Sequence, residues 1–173
     1  MNVSPYIRVI SGGQTGVDRA ALDAARSAGL EIGGWCPHGR LAEDGTIPES
    51  YPLRETESDV YSERTERNVL DSDGTLILYR NSLSGGTALT CSLAKRHGRP
   101  RLVVDLDSIP DPGRIASWIR QERIRTLNVA GPRESGEPGI YRRAFHFLSR
   151  VFRCRLDPDP PSRVLNSRTS DPG

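Results

Sequence analysis

The stretch Ser11-Gly12-Gly13-Gln14-Thr15-Gly16-Val17-Asp18 decides how the rest of the chain is read. Ile7-Arg8-Val9-Ile10 precedes it, a β-branched run that predicts a strand. Arg19-Ala20-Ala21-Leu22-Asp23-Ala24-Ala25 follows it, rich in strong helix formers. The glycines therefore fall in a strand-to-helix turn. Such a turn leaves backbone N–H groups free and aims them, with the positive end of the helix dipole, at one spot. Glycine lets the backbone approach an anion closely and permits a positive φ. Two readings follow: a cradle for a phosphate, or a tight βα connection that needs glycine for its geometry alone.

The familiar nucleotide loops fit only in part. Gly13 and Gly16 match Gly-x-Gly-x-x-Gly, but Ser11 holds the first position. The second predicted strand ends in Gly33-Gly34-Trp35-Cys36, with no carboxylate to hold a ribose. A P-loop needs Gly-Lys-Ser or Gly-Lys-Thr, and the single lysine is Lys95. Ordinary NAD binding and a Walker-type NTPase are both rejected.

The length of 173 residues suits one domain with a real core. A formal charge of +2 gives no argument for a nucleic-acid or membrane partner. The basic residues are nearly all arginine, which suits bidentate anion contacts and equally fits codon bias in a GC-rich genome. Cys36, Cys91 and Cys154 are odd in number and lack CxxC spacing, so neither a disulfide framework nor a zinc site is expected. Met1-Asn2-Val3-Ser4-Pro5 carries no signal peptide, and no apolar run reaches membrane-spanning length. A soluble cytoplasmic protein is expected.

A first helix over 16–28 places Val17, Ala21, Ala24, Ala25 and Ala28 on one face, a small-residue surface suited to close packing. Residues 31–35 read as a second strand. The segment 36–56 has neither period and three prolines. A structureless connection of more than about 15 residues is uncommon in a compact domain, so an ordered flap over a ligand site is expected. Arg40 and Asp44 either reach the ligand or form a solvent-facing ion pair. A helix over 62–72 carries Thr65 and Asn68, which line a pocket mouth or belong to a solvated face.

Thr75-Leu76-Ile77-Leu78-Tyr79 is the clearest strand, apolar throughout and expected to be buried on both sides. Ser84-Gly85-Gly86-Thr87 then feeds a helix over 88–97, with Thr87 either capping it or binding an anion. A fourth strand covers 101–105, a helix 115–123 and a fifth strand 126–130. Gly131-Pro132-Arg133-Glu134-Ser135-Gly136 is a third small-residue turn before a helix. That last helix faces inward with Ile140, Tyr141, Ala144, Phe145, Leu148, Val151 and Phe152. Residues 1–156 are read as one ligand-binding domain and 157–173 as a disordered tail.

Strands alternating with helices predict right-handed βαβ units and a mostly parallel, doubly wound sheet with helices on both faces. In such a sheet every strand-to-helix turn lies at the strands' carboxyl ends, where ligands bind. The turns after strands one, three and five would then share one rim. Together they favour a ligand with more than one anionic group, or an anion joined to a ring.

The motifs 11–25, Gly34-Trp35-Cys36-Pro37, Gly39-Arg40, Ala42-Glu43-Asp44-Gly45, Ile47-Pro48 and Tyr51-Pro52-Leu53 resemble the molybdenum cofactor carrier proteins. So do Arg64-Thr65, Asn68-Val69, Asp71-Ser72-Asp73-Gly74-Thr75, Ser84-Gly85-Gly86-Thr87 and Gly131-Pro132-Arg133-Glu134-Ser135. The resemblance covers roughly 7–152. It implies a Rossmann-like fold shared with lysine-decarboxylase-like nucleotide-binding proteins, and a homo-oligomer, commonly a tetramer. It also implies molybdenum cofactor as cargo, a phosphate-bearing pterin with a dithiolene-held metal, and no catalytic cofactor. The candidate binding residues are Gly12, Gly13, Gln14, Thr15, Gly16 and Asp18, Arg40 and Asp44, and Thr65 and Asn68. Ser84, Gly85, Gly86 and Thr87 join them, with Gly131, Pro132, Arg133 and Ser135. No metal ligand set is expected; Cys36 reads as buried structure rather than a sulfur ligand.

Two functions remain open. One is a carrier that sequesters molybdenum cofactor without chemistry, consistent with scattered histidines and no Ser-His-Asp or HExxH pattern. The other is a hydrolase or sensor for a nucleotide-like phosphate such as AMP or ADP-ribose. There Asp18 and Asp44 would be the acid/base residues and Arg133 would steady charge. Asp18 near a helix start also suits a plain dipole-stabilised cap.

Overall fold

The computed structural model describes residues 7–154 and Leu156. The expected tail over 157–173 lies outside the described residues. The chain forms β1 (Arg8–Ile10), α1 (Val17–Ser27), β2 (Glu31–Gly33), β3 (Trp35–Cys36), β4 (Leu41–Ala42), β5 (Gly45–Thr46) and β6 (Arg54–Glu55). It continues through α2 (Tyr61–Leu70), β7 (Gly74–Tyr79), α3 (Gly85–Arg96), β8 (Arg101–Asp105), α4 (Pro112–Gln121), β9 (Thr126–Ala130) and α5 (Ile140–Arg153).

Five strands make the main sheet in the order β2-β1-β9-β7-β8, every pair parallel. The step from β1 to β2 runs one way along the sheet and the step from β7 to β8 the other. With right-handed crossovers, α1 and α3 then cover opposite faces. The packing agrees. Apolar residues of α1, α4 and α5 share one core cluster with the sheet, while α2 and α3 share another built on Val69, Leu93 and Ala94. The fold is a Rossmann-like α/β sandwich of three layers.

Sequence explains the layers. Thr75, Leu76, Ile77 and Leu78 of β7 are wholly buried, as an apolar strand covered on both faces must be. Ala20, Ala21, Ala24 and Ala25 give α1 a low surface, so α5 lies close against it. On α5 the buried face is Ile140, Ala144, Phe147, Leu148, Val151 and Phe152, with Tyr141 and Phe145 partly covered. Ala28, expected on the buried face of α1, is exposed because the helix has ended at its C-cap.

Two helices start earlier than their propensities suggest. α4 begins at Pro112, with Asp111 accepting from the Gly113 amide at 2.9 Å. An Asp-Pro start is a helix signal that a purely apolar periodicity passes over. α3 begins at Gly85, not at residue 88. Glycine is a poor helix former in the interior but costs little in the first turn, where its N–H has no intrahelical partner.

The segment 36–56 is ordered but not structureless. β3 pairs in parallel with β6, and β4 with β5 in an antiparallel hairpin. Strands of two residues are too short to show a period in sequence. Cys36, Ile47 and Leu53 pack with Leu22 of α1 into a small core that pins this flap to the domain.

Candidate functional site

A cavity of about 490 Å³ opens at the carboxyl edge of the sheet, beside β1, β9 and β7. Its size is that of a small-molecule site. It lies where the strand order reverses, the place at which α/β sheets hold ligands.

Three turns and one helix face build it. The turn after β1 supplies Gly12, Gln14 and Asp18. The turn after β7 supplies Ser84, Gly85, Gly86 and Thr87, and the turn after β9 Gly131, Pro132 and Arg133. From α2 come Arg64, Thr65 and Asn68. Among the described residues no protein group accepts from the amides of Gly85, Gly86 and Thr87. All three residues line the cavity at the start of α3, where unpartnered N–H groups and the helix dipole suit an anion.

The buried charges meet beside the turn after β1. Asp18, with a side chain 5% exposed, accepts from Arg64 Nη1 at 3.0 Å through Oδ2. The Gln14 amide donates to the same oxygen at 3.4 Å. Burial pushes the Asp18 carboxyl above its usual range, and the Arg64 charge only partly opposes that. Arg64 is not among the binding residues expected from sequence, although it belongs to the Arg64-Thr65 motif. Asn128 of β9 was missed as well. It is 2% exposed, lines the cavity and donates to Thr75 Oγ1 at 3.3 Å. The signal was a lone amide in an apolar strand, three residues before a glycine turn.

Six expected residues do not line the cavity: Gly13, Thr15, Gly16, Arg40, Asp44 and Ser135. They build the joint between flap and turns. Gly13, at φ +76, turns its α-carbon toward the flap; a Cβ there would lie 2.5 Å from Leu53 Cδ1. A Cβ on Gly16 would lie 2.3 Å from the Pro132 carbonyl oxygen, so this glycine lets the first and third turns touch. Arg40 folds the flap on itself, donating to the carbonyls of Ile47, Pro48, Tyr51 and Leu53 at 2.9–3.1 Å. Asp44 pairs with Arg19, Nη2 to Oδ1 at 2.8 Å, and this pairing holds its carboxyl below the usual range.

Glu43 is the clip of that joint. Its carboxylate accepts from the Ser135 amide at 3.1 Å and from the hydroxyls of Ser135 and Thr15. Its own amide donates to Gln14 Oε1 at 3.0 Å. Desolvation raises the Glu43 pKa, but these hydrogen bonds and Arg133 outweigh it and leave the carboxyl low. Asn68 lines the cavity, yet its amide is committed to the backbone of Trp35, accepting and donating at 2.9 Å. Thr65 Oγ1 likewise donates to the Tyr61 carbonyl at 2.8 Å.

Cys36 is fully buried, and burial pushes its thiol above its usual range. Among the described residues no group of three His, Cys, Asp or Glu side chains is placed to hold a metal. No helix among them is long and apolar enough to cross a membrane.

The model of the circularly permutated YpsA SLOG family matches residues 9–152. The chain belongs to this family. The 1.45 Å crystal structure of a Syntrophus aciditrophicus protein, provisionally named a molybdenum carrier protein, is similar at 48% identity with a TM-score of 0.80. The match covers 87% of this chain and 97% of that one. No curated protein matches the chain. The family resemblance and the Rossmann-like fold read from the motifs both hold.

Proposed function

We propose that this SLOG-family protein binds molybdenum cofactor in the carboxyl-edge cavity and carries it without transforming it. The observation that carries the reading is the convergence on one cavity of the unpartnered Gly85, Gly86 and Thr87 amides with Arg64 and Arg133. Those groups suit a phosphate. Leu89, Val129 and Pro132 on the same cavity suit the face of a ring. The provisional name of the Syntrophus protein supports the same cargo. The family resemblance further supports a cytoplasmic homo-oligomer, commonly a tetramer.

The test is anaerobic equilibrium dialysis against molybdenum cofactor, followed by transfer to an apo-molybdoenzyme. Saturable binding that slows oxidation of the cofactor and still permits transfer is the expected result. Equal oxidation rates with and without the protein would sink the reading.

A second reading keeps the cavity and changes the ligand: a nucleotide-like phosphate such as AMP or ADP-ribose, sensed or hydrolysed. The observation favouring it is Asp18, an enclosed carboxyl on the cavity wall with a raised pKa, as a general acid requires. Release of a base or phosphate from either nucleotide, lost in Asp18→Asn, would establish it.

A further inference from the structure

Asp18 and Arg64 form a pair that is enclosed but poorly matched. One guanidinium nitrogen, Nη1, meets one carboxylate oxygen at 3.0 Å, where a paired fork would use two. Arg64 Nε is buried and has no partner among the described residues. The side chains are 15% and 5% exposed, so neither charge is well solvated. An unpaired buried N–H on a cation is costly and is relieved by an acceptor. Arg64 lines the cavity, and its guanidinium also stands over the Tyr61 ring at 5.8 Å.

We propose that Arg64 is shared between Asp18 and an anionic group of the bound ligand, so that filling the cavity draws a proton onto Asp18. The inference rests on the proposed anion-binding role of this cavity and adds how that binding is regulated. A ligand anion at Arg64 gives one cation two negative partners. A ligand anion would be held by the turn amides, whereas Asp18 has Arg64 as its principal counter-charge. The carboxyl is therefore the group that gives up its charge, because two like charges sharing one enclosed site raise the weaker-held pKa.

The other charged or titratable groups around Asp18 do not replace Arg64. From α2 the second is Tyr61, a neutral phenol beneath the guanidinium. The turn after β9 brings Arg133, which stands 3.9 Å from Glu43, and Glu137, whose carboxylate accepts from Asn81 at 3.1 Å. The flap contributes Glu43, held by Ser135 and Thr15. On α1 itself Arg19 turns away to Asp44. From β1, β9 and the start of α3 the facing residues are Ser11, Asn128 and Thr87, all uncharged.

The probe is ADP-ribose, whose pyrophosphate does not titrate near neutrality. Calorimetric titrations in buffers of different ionisation enthalpy read protons taken up per ligand. A buffer-dependent enthalpy with net uptake is expected, together with affinity that strengthens as pH falls, by up to about tenfold per pH unit. Infrared difference spectra of the wild-type protein should gain a protonated-carboxyl band on binding, which needs no variant. Asp18→Asn, where it folds, should abolish both signals. Binding without proton uptake, uptake that persists in Asp18→Asn, or failure of ADP-ribose and inorganic pyrophosphate to bind would each overturn the proposal. If ADP-ribose binds with uptake while molybdenum cofactor does not bind, the carrier reading falls and this inference stands.

Discussion

Arg64 stands where a side chain on Gly12 would have to be: a Cβ on Gly12 would lie 1.4 Å from Arg64 Nη1 and 2.9 Å from Asp18 Oδ2. The first glycine of the motif thus makes room for an arginine from a distant helix. Gly12→Ala should displace that guanidinium and leave Asp18 buried beside a mispositioned cation. The expected loss is about 1–3 kcal/mol in urea unfolding, part of it recovered when Asp18→Asn is added. An alanine variant as stable as its parent would mean that the pair rearranges freely.

Gly86 and Gly13 should part company under the same substitution. A Cβ on Gly86 meets nothing within 4 Å, and the residue lines the cavity. Gly86→Val should therefore melt within a few degrees of wild type while its affinity for a phosphate-bearing probe falls at least tenfold. Gly13→Val instead combines φ +76 with a 2.5 Å approach to Leu53, so it should lower stability by roughly 2 kcal/mol or more. Thermal melts paired with calorimetric binding separate the two effects.

Glu43 makes the joint between flap and turns sensitive to acid. Its carboxyl is held below the ordinary value, so its contribution is present above about pH 4.3 and disappears as pH falls through the lower folded value. Hydrogen exchange over 41–47 should show protection that drops in that acid range. Glu43→Gln should exchange faster at neutral pH and lose the acid step. A variant as protected as wild type would remove Glu43 from this role.

The two phenols on Asp23 give the opposite sign. Tyr51 Oη donates to Asp23 Oδ1 at 3.0 Å, and Tyr141 Oη to Oδ2 at 2.7 Å. Burial and the Asp23 carboxylate push Tyr51 up to about 12. Its contribution is present below the ordinary phenol value of about 10 and is lost as pH rises through about 12. Phenolate absorbance should show late ionisation that moves toward the ordinary value in Asp23→Asn. Tyr51→Phe should cost about 1–2 kcal/mol.

Most of the framework is legible because it is written locally. Four of the five main-sheet strands are short apolar or β-branched runs ended by a turn signal, β2 (Glu31-Ile32-Gly33) being the exception, and each of the three Ser-Gly-Gly or Gly-Pro turns carries its own glycines. The cavity lining is legible in its glycine turns and in Asp18, Thr65, Asn68 and Arg133, but not in full. Arg64 and Asn128 line the cavity because α2 docks beside the first turn and β9 lies next to β1, relationships between distant segments that no window of sequence contains. Arg40 and Asp44 follow the other of their two readings. Sequence leaves open whether their charges meet a ligand or pair within the protein; four carbonyls take up Arg40, and Arg19 pairs with Asp44. The strand expected over 31–35 splits at Gly34, its end Trp35 joining β3 in a separate pair with β6, and β4, β5 and β6 are too short to show a period.

The central place of β9 has a consequence for assembly. It is the final strand in chain order, yet it sits between β1 and β7 and joins two parts that otherwise share no edge. A nascent polypeptide halted before residue 126 holds two unjoined strand pairs, each with an open border. The cavity at the sheet edge is therefore a late product of synthesis, closed like an arch by its keystone.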